Sequence, residues 1–174
     1  DELLKRAEQM KQSQDEVNKQ TEALTRNDPQ KAAELAQKQE EIEKQLSEVR
    51  KELDDLQKKM EEFPKEMPKE KMDDAQQAAN NPEMQNAMKQ SSQQLRSQQT
   101  ERAMASQQQA SSGINEMQQQ LSELQEQLLN NQMQQTMNAL RKSMQDLLQI
   151  SQKQEQLKNQ SRTLDPNSQQ FREM

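Results

Sequence analysis

Between Asp28 and Phe63 the apolar residues Ala32, Leu35, Ile42, Leu46, Val49, Leu53, Leu56, Met60 and Phe63 recur at steps that alternate between three and four, once Gln39 is admitted to the series. Such an alternation holds one stripe of side chains on one face of a helix, here for about four heptads. Because only two positions in seven are apolar, the stripe suits one or two neighbouring helices and is narrower than the face a compact domain buries. The fold this predicts is all-α: long antiparallel helices forming a coiled-coil hairpin or a thin, elongated helical bundle. Its helix-packing seam is Leu35, Gln39, Ile42, Leu46, Val49, Leu53, Leu56 and Met60, and Gln39 is the position that sets register, facing a polar group such as Gln14 or Thr21 across the hairpin.

Composition agrees with thin architecture. Only 28% of the 174 residues are apolar and 1% aromatic, too little for a single thick core. The mean hydropathy of −1.45 would signify disorder in an unpatterned chain. The single glycine, the few prolines and the periodicity argue for long helices instead.

Punctuation divides the chain. Residues 1–63 read as an antiparallel coiled-coil hairpin: Leu3, Ala7, Met10, Val17 and Leu24 keep the same rhythm as far as Asn27-Asp28-Pro29, where Asn suits a left-handed cap, Asp the next N-cap and Pro the first turn. So short a connection brings Leu24 near Ala32 or Leu35 and Met10 toward Val49. Glu34 with Lys38, Glu40 with Lys44, Asp54 with Lys58 and Asp55 with Lys59 are placed to brace the second helix at i,i+4. Phe63-Pro64-Lys65-Glu66-Met67-Pro68 ends it, because two prolines four apart cannot share one helix interior. Residues 64–82 form a proline-bounded linker with a short helix carrying Met72, Ala75 and Ala79, and Asn80-Asn81-Pro82 predicts a second reversal. Residues 83–131 read as one long Gln- and Met-rich helix, with a kink possible at Gly113 and a break at Asn130-Asn131. Residues 132–164 form a further helix in which Leu147, Leu148 and Ile150 widen the apolar face enough to touch more than one neighbour. Leu164-Asp165-Pro166 predicts a third reversal, and residues 165–174 start another helix that packs back; the chain reads as an excerpt from a longer protein.

The same residues exclude most chemistry. Cysteine and histidine are absent, which removes thiolate nucleophiles, the usual zinc ligands and the commonest general base. The expectation is a non-enzyme with no catalytic, cofactor-binding or metal-binding residues. Acids and bases are interspersed at a net charge of −6, running from −5 over residues 1–63 to +2 over 132–174, so no positive field invites nucleic acid. No apolar run approaches the roughly 20 residues that a bilayer demands. Twelve methionines raise a copper(I) reading through Met133 and Met137, but Met10, Met60, Met137 and Met144 fall in seams and read as core filler. Asp54-Asp55 and Asp73-Asp74 read as solvated faces, Gln107–Gln109 and Gln118–Gln120 as solvent-tolerant filler, and Arg141 with Glu155 as a structural brace.

Residues 139–157 carry a resemblance. Leu140-Arg141, the Leu147-Leu148 pair, Ser151, Gln154-Glu155 and Leu157 follow a pattern similar to one in the bacterial membrane-anchored family catalogued as domain of unknown function 4175. The match spans about a tenth of the chain. Met144 stands where a leucine is more usual and Lys153 where an acid is expected. The resemblance implies transmembrane helices elsewhere in the parent, an extracytoplasmic place in the bacterial envelope for this segment, and no assigned activity or catalytic residue.

The functional expectation is a structural scaffold, spacer or protein-interaction arm. Its partners would be helices of the same protein, other copies of the chain or another envelope protein, without nucleic acid or membrane contact by this segment. A holdase-type chaperone gripping apolar client segments is the alternative, favoured if apolar residues stand exposed around the Phe63 to Met72 turn.

Overall fold

A computed structural model describes residues 2–24, 28–62 and 67–163. The described residues contain five helices: α1 (Glu2–Glu22), α2 (Pro29–Glu61), α3 (Lys69–Ala79), α4 (Pro82–Arg96) and α5 (Thr100–Thr163). No residue among them forms a strand, so the fold is all-α. The chain divides into two compact units, Asp1–Leu129 and Asn130–Met174.

The first unit is a bundle of four rods with alternating direction. Arg6 of α1 pairs with Glu48 and Glu52 of α2 at 3.1 and 3.2 Å, and Gln20 near the end of α1 accepts from Lys38 near the start of α2 at 3.0 Å. These two rods are therefore antiparallel. Asp28 starts α2 as its N-cap, Oδ1 accepting from the Lys31 amide at 3.0 Å, with Pro29 in the first turn. Residues 25–27 and 63–66 of the predicted turns, and the Leu164-Asp165-Pro166 reversal, lie outside the described residues.

The third rod is α3 followed by α4, and here the structure corrects the sequence reading. Along α2, Gln76 meets Gln57, Gln85 meets Arg50, Lys89 meets Glu43 and Ser91 meets Gln39. The partner number falls steadily as the chain passes Asn80-Asn81-Pro82, so this is an interruption within one rod and no reversal. Asn81 caps α4 through Oδ1, which accepts from the amides of Glu83 and Met84 at 2.9 and 3.4 Å. Asn80 stays outside the left-handed region, with φ −91°, so the chain does not turn back there. The stretch read as a linker is, from residue 69 on, no mere linker, for α3 is a packed part of the bundle that buries Met72, Ala75, Ala78 and Ala79.

The actual reversal lies at Ser97-Gln98-Gln99, inside the stretch 83–131 read as one helix. The Gln99 amide donates to Gln94 O at 2.8 Å and the Gln98 amide to Leu95 O at 3.0 Å, while Gln98 takes φ 58°. This is the hydrogen-bond pattern of a Schellman cap. Glutamine fills the left-handed position that glycine usually takes, which is why the turn left no mark in the sequence. The fourth rod, α5, then runs back: Ser106 donates to Gln94 at 2.8 Å, Asn18 to Ser111 at 2.9 Å, and Lys71 meets Glu123 at 2.7 Å.

The bundle core is one contiguous cluster, and much of it is small. Ala7, Ala36, Ala75, Ala79, Ala103 and Ala110 share it with Met10, Met72, Met84, Met88 and Met117 and with the α2 seam. Small residues let rods approach closely, so a chain poor in large apolar side chains still closes four of them. Gly113 is the extreme case: a Cβ built on it would lie 2.6 Å from Met84 Cβ, so α5 runs against α4 at this point. Glycine here allows a close approach and introduces no break, since α5 is helical through it.

Asn130-Asn131 does not break α5 either, although the boundary between the two compact units falls at that place. The change there is in packing, and the backbone hydrogen bonding passes through. The charges expected to brace α2 along its own length mostly serve neighbouring rods instead. Lys38 reaches Gln20, Glu40 takes Arg96 at 2.7 Å, Asp54 accepts from Gln76 at 3.5 Å, and Lys58 pairs with Asp55 at 3.5 Å.

Candidate interaction surface

Within the bundle the seam carries a polar layer. Gln39 and Gln14, both about 1% exposed or less, exchange two amide hydrogen bonds of 2.7 and 3.0 Å. Ser91 adds a donation to Gln39 Oε1 at 3.2 Å, and Gln14 donates to Asn18, which donates to Ser111. The chain of bonds runs from α4 through α2 and α1 to α5, so it touches every rod. A second link joins Gln107 Nε2 to Thr21 Oγ1 at 3.0 Å, and Thr21 donates to Val17 O. A buried amide accepts only the partner that completes it, so this layer fixes which residues lie level with one another. Gln107 is thus buried structure and no solvent-tolerant filler, although its Oε1 finds no partner.

Of the seam read from the sequence, Leu35, Gln39, Ile42, Leu46, Val49 and Leu53 are buried, and Leu56 and Met60 are half-buried against the core. These seam residues belong to the bundle core, and a small cleft of about 260 Å³ between α1 and α2 reaches Val17 and Ile42.

A cleft of about 490 Å³ opens to solvent beside the α3–α4 interruption and is lined by Asp74, Gln77, Asn81, Glu83, Glu116 and Gln120. It holds no nucleophile paired with a base. Among the described residues no three His, Cys, Asp or Glu side chains converge as a metal site would require. The Lys71 ammonium sits between Glu123 at 2.7 Å and Asp74 at 3.4 Å. Hydrogen bonding to Lys71, and then to Gln119, holds the Glu123 carboxyl below the usual carboxylate range, and the Glu123 bond raises Lys71 above its ordinary value. Both shifts favour the charged forms, so this is a fastening of α3 to α5 and not a poised acid or base.

The open surface is on the second half of α5. Nine large apolar side chains, from Leu129 through Met133, Met137, Leu140, Met144, Leu147, Leu148 and Ile150 to Leu157, are each 51–63% exposed. From Met133 to Leu147 they advance at steps of four, three, four and three, as a seam does. The step from Leu128 to Met133 is five, so this second seam restarts and does not continue the first.

Several sequence readings are corrected here. Leu147, Leu148 and Ile150 were expected against more than one helix and stand exposed. Met137 and Met144, read as core filler, are 51% and 57% exposed, whereas Met10 and Met72 fill the core. Arg141 and Glu155 lie fourteen residues apart on one continuous helix, about 21 Å at 1.5 Å per residue, and cannot brace each other. The remaining motif positions Leu140, Ser151, Gln154 and Leu157 are exposed as well. At the turn where exposed apolar residues would favour client gripping, Met72 is fully buried and Met67 half-buried. Asp54, Asp55 and Asp73 lie on solvated faces, while Asp74 contacts Lys71. No helix among the described residues is long and apolar enough to cross a membrane.

Sequence reasoning missed the Ser91, Asn18 and Ser111 members of the polar layer. Ser91 at seam-like spacing was the one available signal; Asn18 and Ser111 lie beside the seam, and only the register between rods shows what they meet. Comparison of the chain with family models, with curated proteins and with solved structures finds no match.

Proposed function

We propose that this chain is a non-enzymatic interaction arm: a closed four-rod bundle serves as a rigid body, and the second half of α5 presents an apolar helical face that takes up a helix from outside the bundle. The observation that carries this reading is the run of nine more-than-half-exposed apolar side chains between Leu129 and Leu157. Single exposed apolar residues are ordinary on any surface, but a contiguous stripe at seam spacing is the mark of an interaction face. The seam residues of the bundle are largely buried in its core, whereas this face stands open among the described residues.

Amide hydrogen exchange on the dilute chain tests the reading. Residues 133–157 should exchange orders of magnitude faster than 103–124 of the same helix, since an unpacked helix opens at little cost. Equal protection of the two halves at the lowest concentration would mean that the face is already covered, and the reading fails.

Placement of this segment in a bacterial envelope, as the extracytoplasmic part of a membrane-anchored parent, rests on the resemblance of residues 139–157. A second functional reading, a holdase-type chaperone, gains from the presence of Met133, Met137 and Met144 on the open face, since methionine adapts to varied apolar partners. Under it the chain suppresses aggregation of an unfolding client, and substitution of Leu140 and Leu147 by Glu abolishes that suppression.

A further inference from the structure

We infer that the occupant of this face is a second copy of the same chain, paired through residues 130–154 as a parallel, in-register helix dimer. The inference rests on the interaction-arm reading and adds the partner and its orientation.

Three observations lead to it. Assigning the seam as a heptad places Asn130, Met137, Met144 and Ser151 at the a positions and Met133, Leu140, Leu147 and Gln154 at the d positions. Leucine at d with a single asparagine at a is the pattern of a parallel two-stranded seam, where the asparagines of the two copies meet and fix the register. A helix from an unrelated protein need not supply that matching amide.

The flanking charges choose the orientation. In the parallel register the positions beside the seam set Thr136 against Arg141 of the second copy and Ile150 against its Glu155, and no like charges face each other. In the antiparallel arrangement that pairs Leu140 with Met144 of the second copy, Arg141 of one copy faces Arg141 of the other. Like charges in that position oppose association, so that antiparallel register is disfavoured, and in the one that pairs Leu140 with Met137 of the second copy Asn130 faces Leu147 and meets no matching amide.

The area is sufficient. A leucine or methionine side chain half removed from water loses on the order of 80 Å² of apolar surface, so the exposed ones from Met133 to Ile150 amount to roughly 550 Å² per copy, about 1,100 Å² in all. A specific interface clears roughly 1,000 Å² in total. Ile150 and Leu148 flank the seam and extend the contact beyond the a and d positions.

The test uses the whole chain. Light scattering coupled to size exclusion, over a hundredfold concentration range, should give twice the 20.4 kDa chain mass at the upper end, falling toward the single-chain mass on dilution. The double variant Leu140→Glu with Leu147→Glu should remain at the single-chain mass throughout, with its bundle helicity retained by circular dichroism. Because the chain has no cysteine, Leu140→Cys reports orientation cleanly. Mild oxidation should link most of the dimer through that residue, which only an in-register parallel pair brings face to face.

A dimer that persists in the double variant, or that resists cross-linking at Leu140→Cys, overturns the inference. A single-chain mass at every concentration also overturns it, and hydrogen exchange then separates the two readings. Fast exchange over 133–157 removes the second copy but keeps the interaction arm; slow exchange removes both. A single-chain mass that shifts on adding a heptad peptide with acidic flanks assigns the face to a separate helix and overturns the second copy.

Discussion

The two halves of α5 reverse the usual association between hydrophobicity and burial. From Thr100 to Leu124 the buried face is Ala103, Ser106, Gln107, Ala110, Gly113, Ile114, Met117, Leu121 and Leu124, much of it small or polar. From Leu129 to Leu157 nine leucine, methionine and isoleucine side chains are each more than half exposed. Burial is therefore set by which rods lie alongside, and an apolar stripe without a neighbour stays in water whatever its strength. Small residues are an advantage in the first half because they allow α4 and α1 to approach. The second half has no such residues at its seam positions, apart from Ser151, and suits a partner of the same kind.

The largest break in this contrast comes from removing one apolar side chain on each side of it. Ile114→Ala is expected to destabilise the bundle by about 2–5 kcal/mol, through lost transfer energy and a residual cavity. Leu140→Ala should leave the denaturant midpoint of the dilute chain within about 0.5 kcal/mol of the parent. Chemical unfolding followed by circular dichroism checks both, and a comparable loss at Leu140 would mean that the exposed stripe supports the bundle.

The polar layer comes next. Gln39→Leu leaves Gln14 and Ser91 without their buried partner and should cost about 2 kcal/mol. Adding Gln14→Leu should recover most of that loss, because both ends of the amide pair are then apolar. A double-mutant cycle on unfolding free energies measures the coupling, and strict additivity would show that the pair does not act as a unit.

Close approach is tested at Gly113. Alanine gains about 1 kcal/mol of helix propensity in an open helix. Against Met84 Cβ at 2.6 Å the overpacking of about 1–3 kcal/mol should prevail, so Gly113→Ala is expected to lower stability by about 1 kcal/mol. The equivalent change at an exposed position of 130–150, Asn138→Ala, should show the opposite sign. At the α4–α5 turn Gln98→Gly should raise stability by up to about 1 kcal/mol by relieving a left-handed glutamine, read as a higher melting temperature.

The smallest effect concerns pH. Glu123 has its folded pKa lowered, so its contribution is present above the carboxylate range and is lost as pH falls through the folded value, below the ordinary 4.5. Lys71 has its folded pKa raised, so its contribution is present below the ordinary 10.5 and is lost only as pH rises beyond it. The melting-temperature difference between the parent and Glu123→Gln should therefore be flat across neutral pH and close as the solution becomes strongly acidic. A difference that instead changes between pH 6 and 8 would mean another group controls this contact.

How far the sequence could be read depended on where each signal arises. Asp28 and Asn81 announced their caps because a side-chain oxygen beside a first-turn proline is a local device. The α4–α5 turn stayed hidden because Gln98 adopts a conformation that its side chain does not advertise. Asn80-Asn81-Pro82 looked like the first turn and proved to be an interruption, since the same capping residues serve a rod that continues and one that turns back. Gln39 was recognisable as a register residue, and Gln14 as one of its two candidate partners, from heptad position alone.

By itself the sequence determined that the chain is helical, that narrow seams run along its helices, and that no thiol or imidazole chemistry is available to it. These follow from spacing and residue type, which act within a few turns of one chain. Only the tertiary structure decided that four rods close on one another with Gln39 at the centre of a shared polar layer, and that one apolar seam is buried while another is left open. Those outcomes depend on contacts between residues far apart in the chain, where backbone approach, amide pairing and the presence of a neighbour outweigh what any one segment prefers.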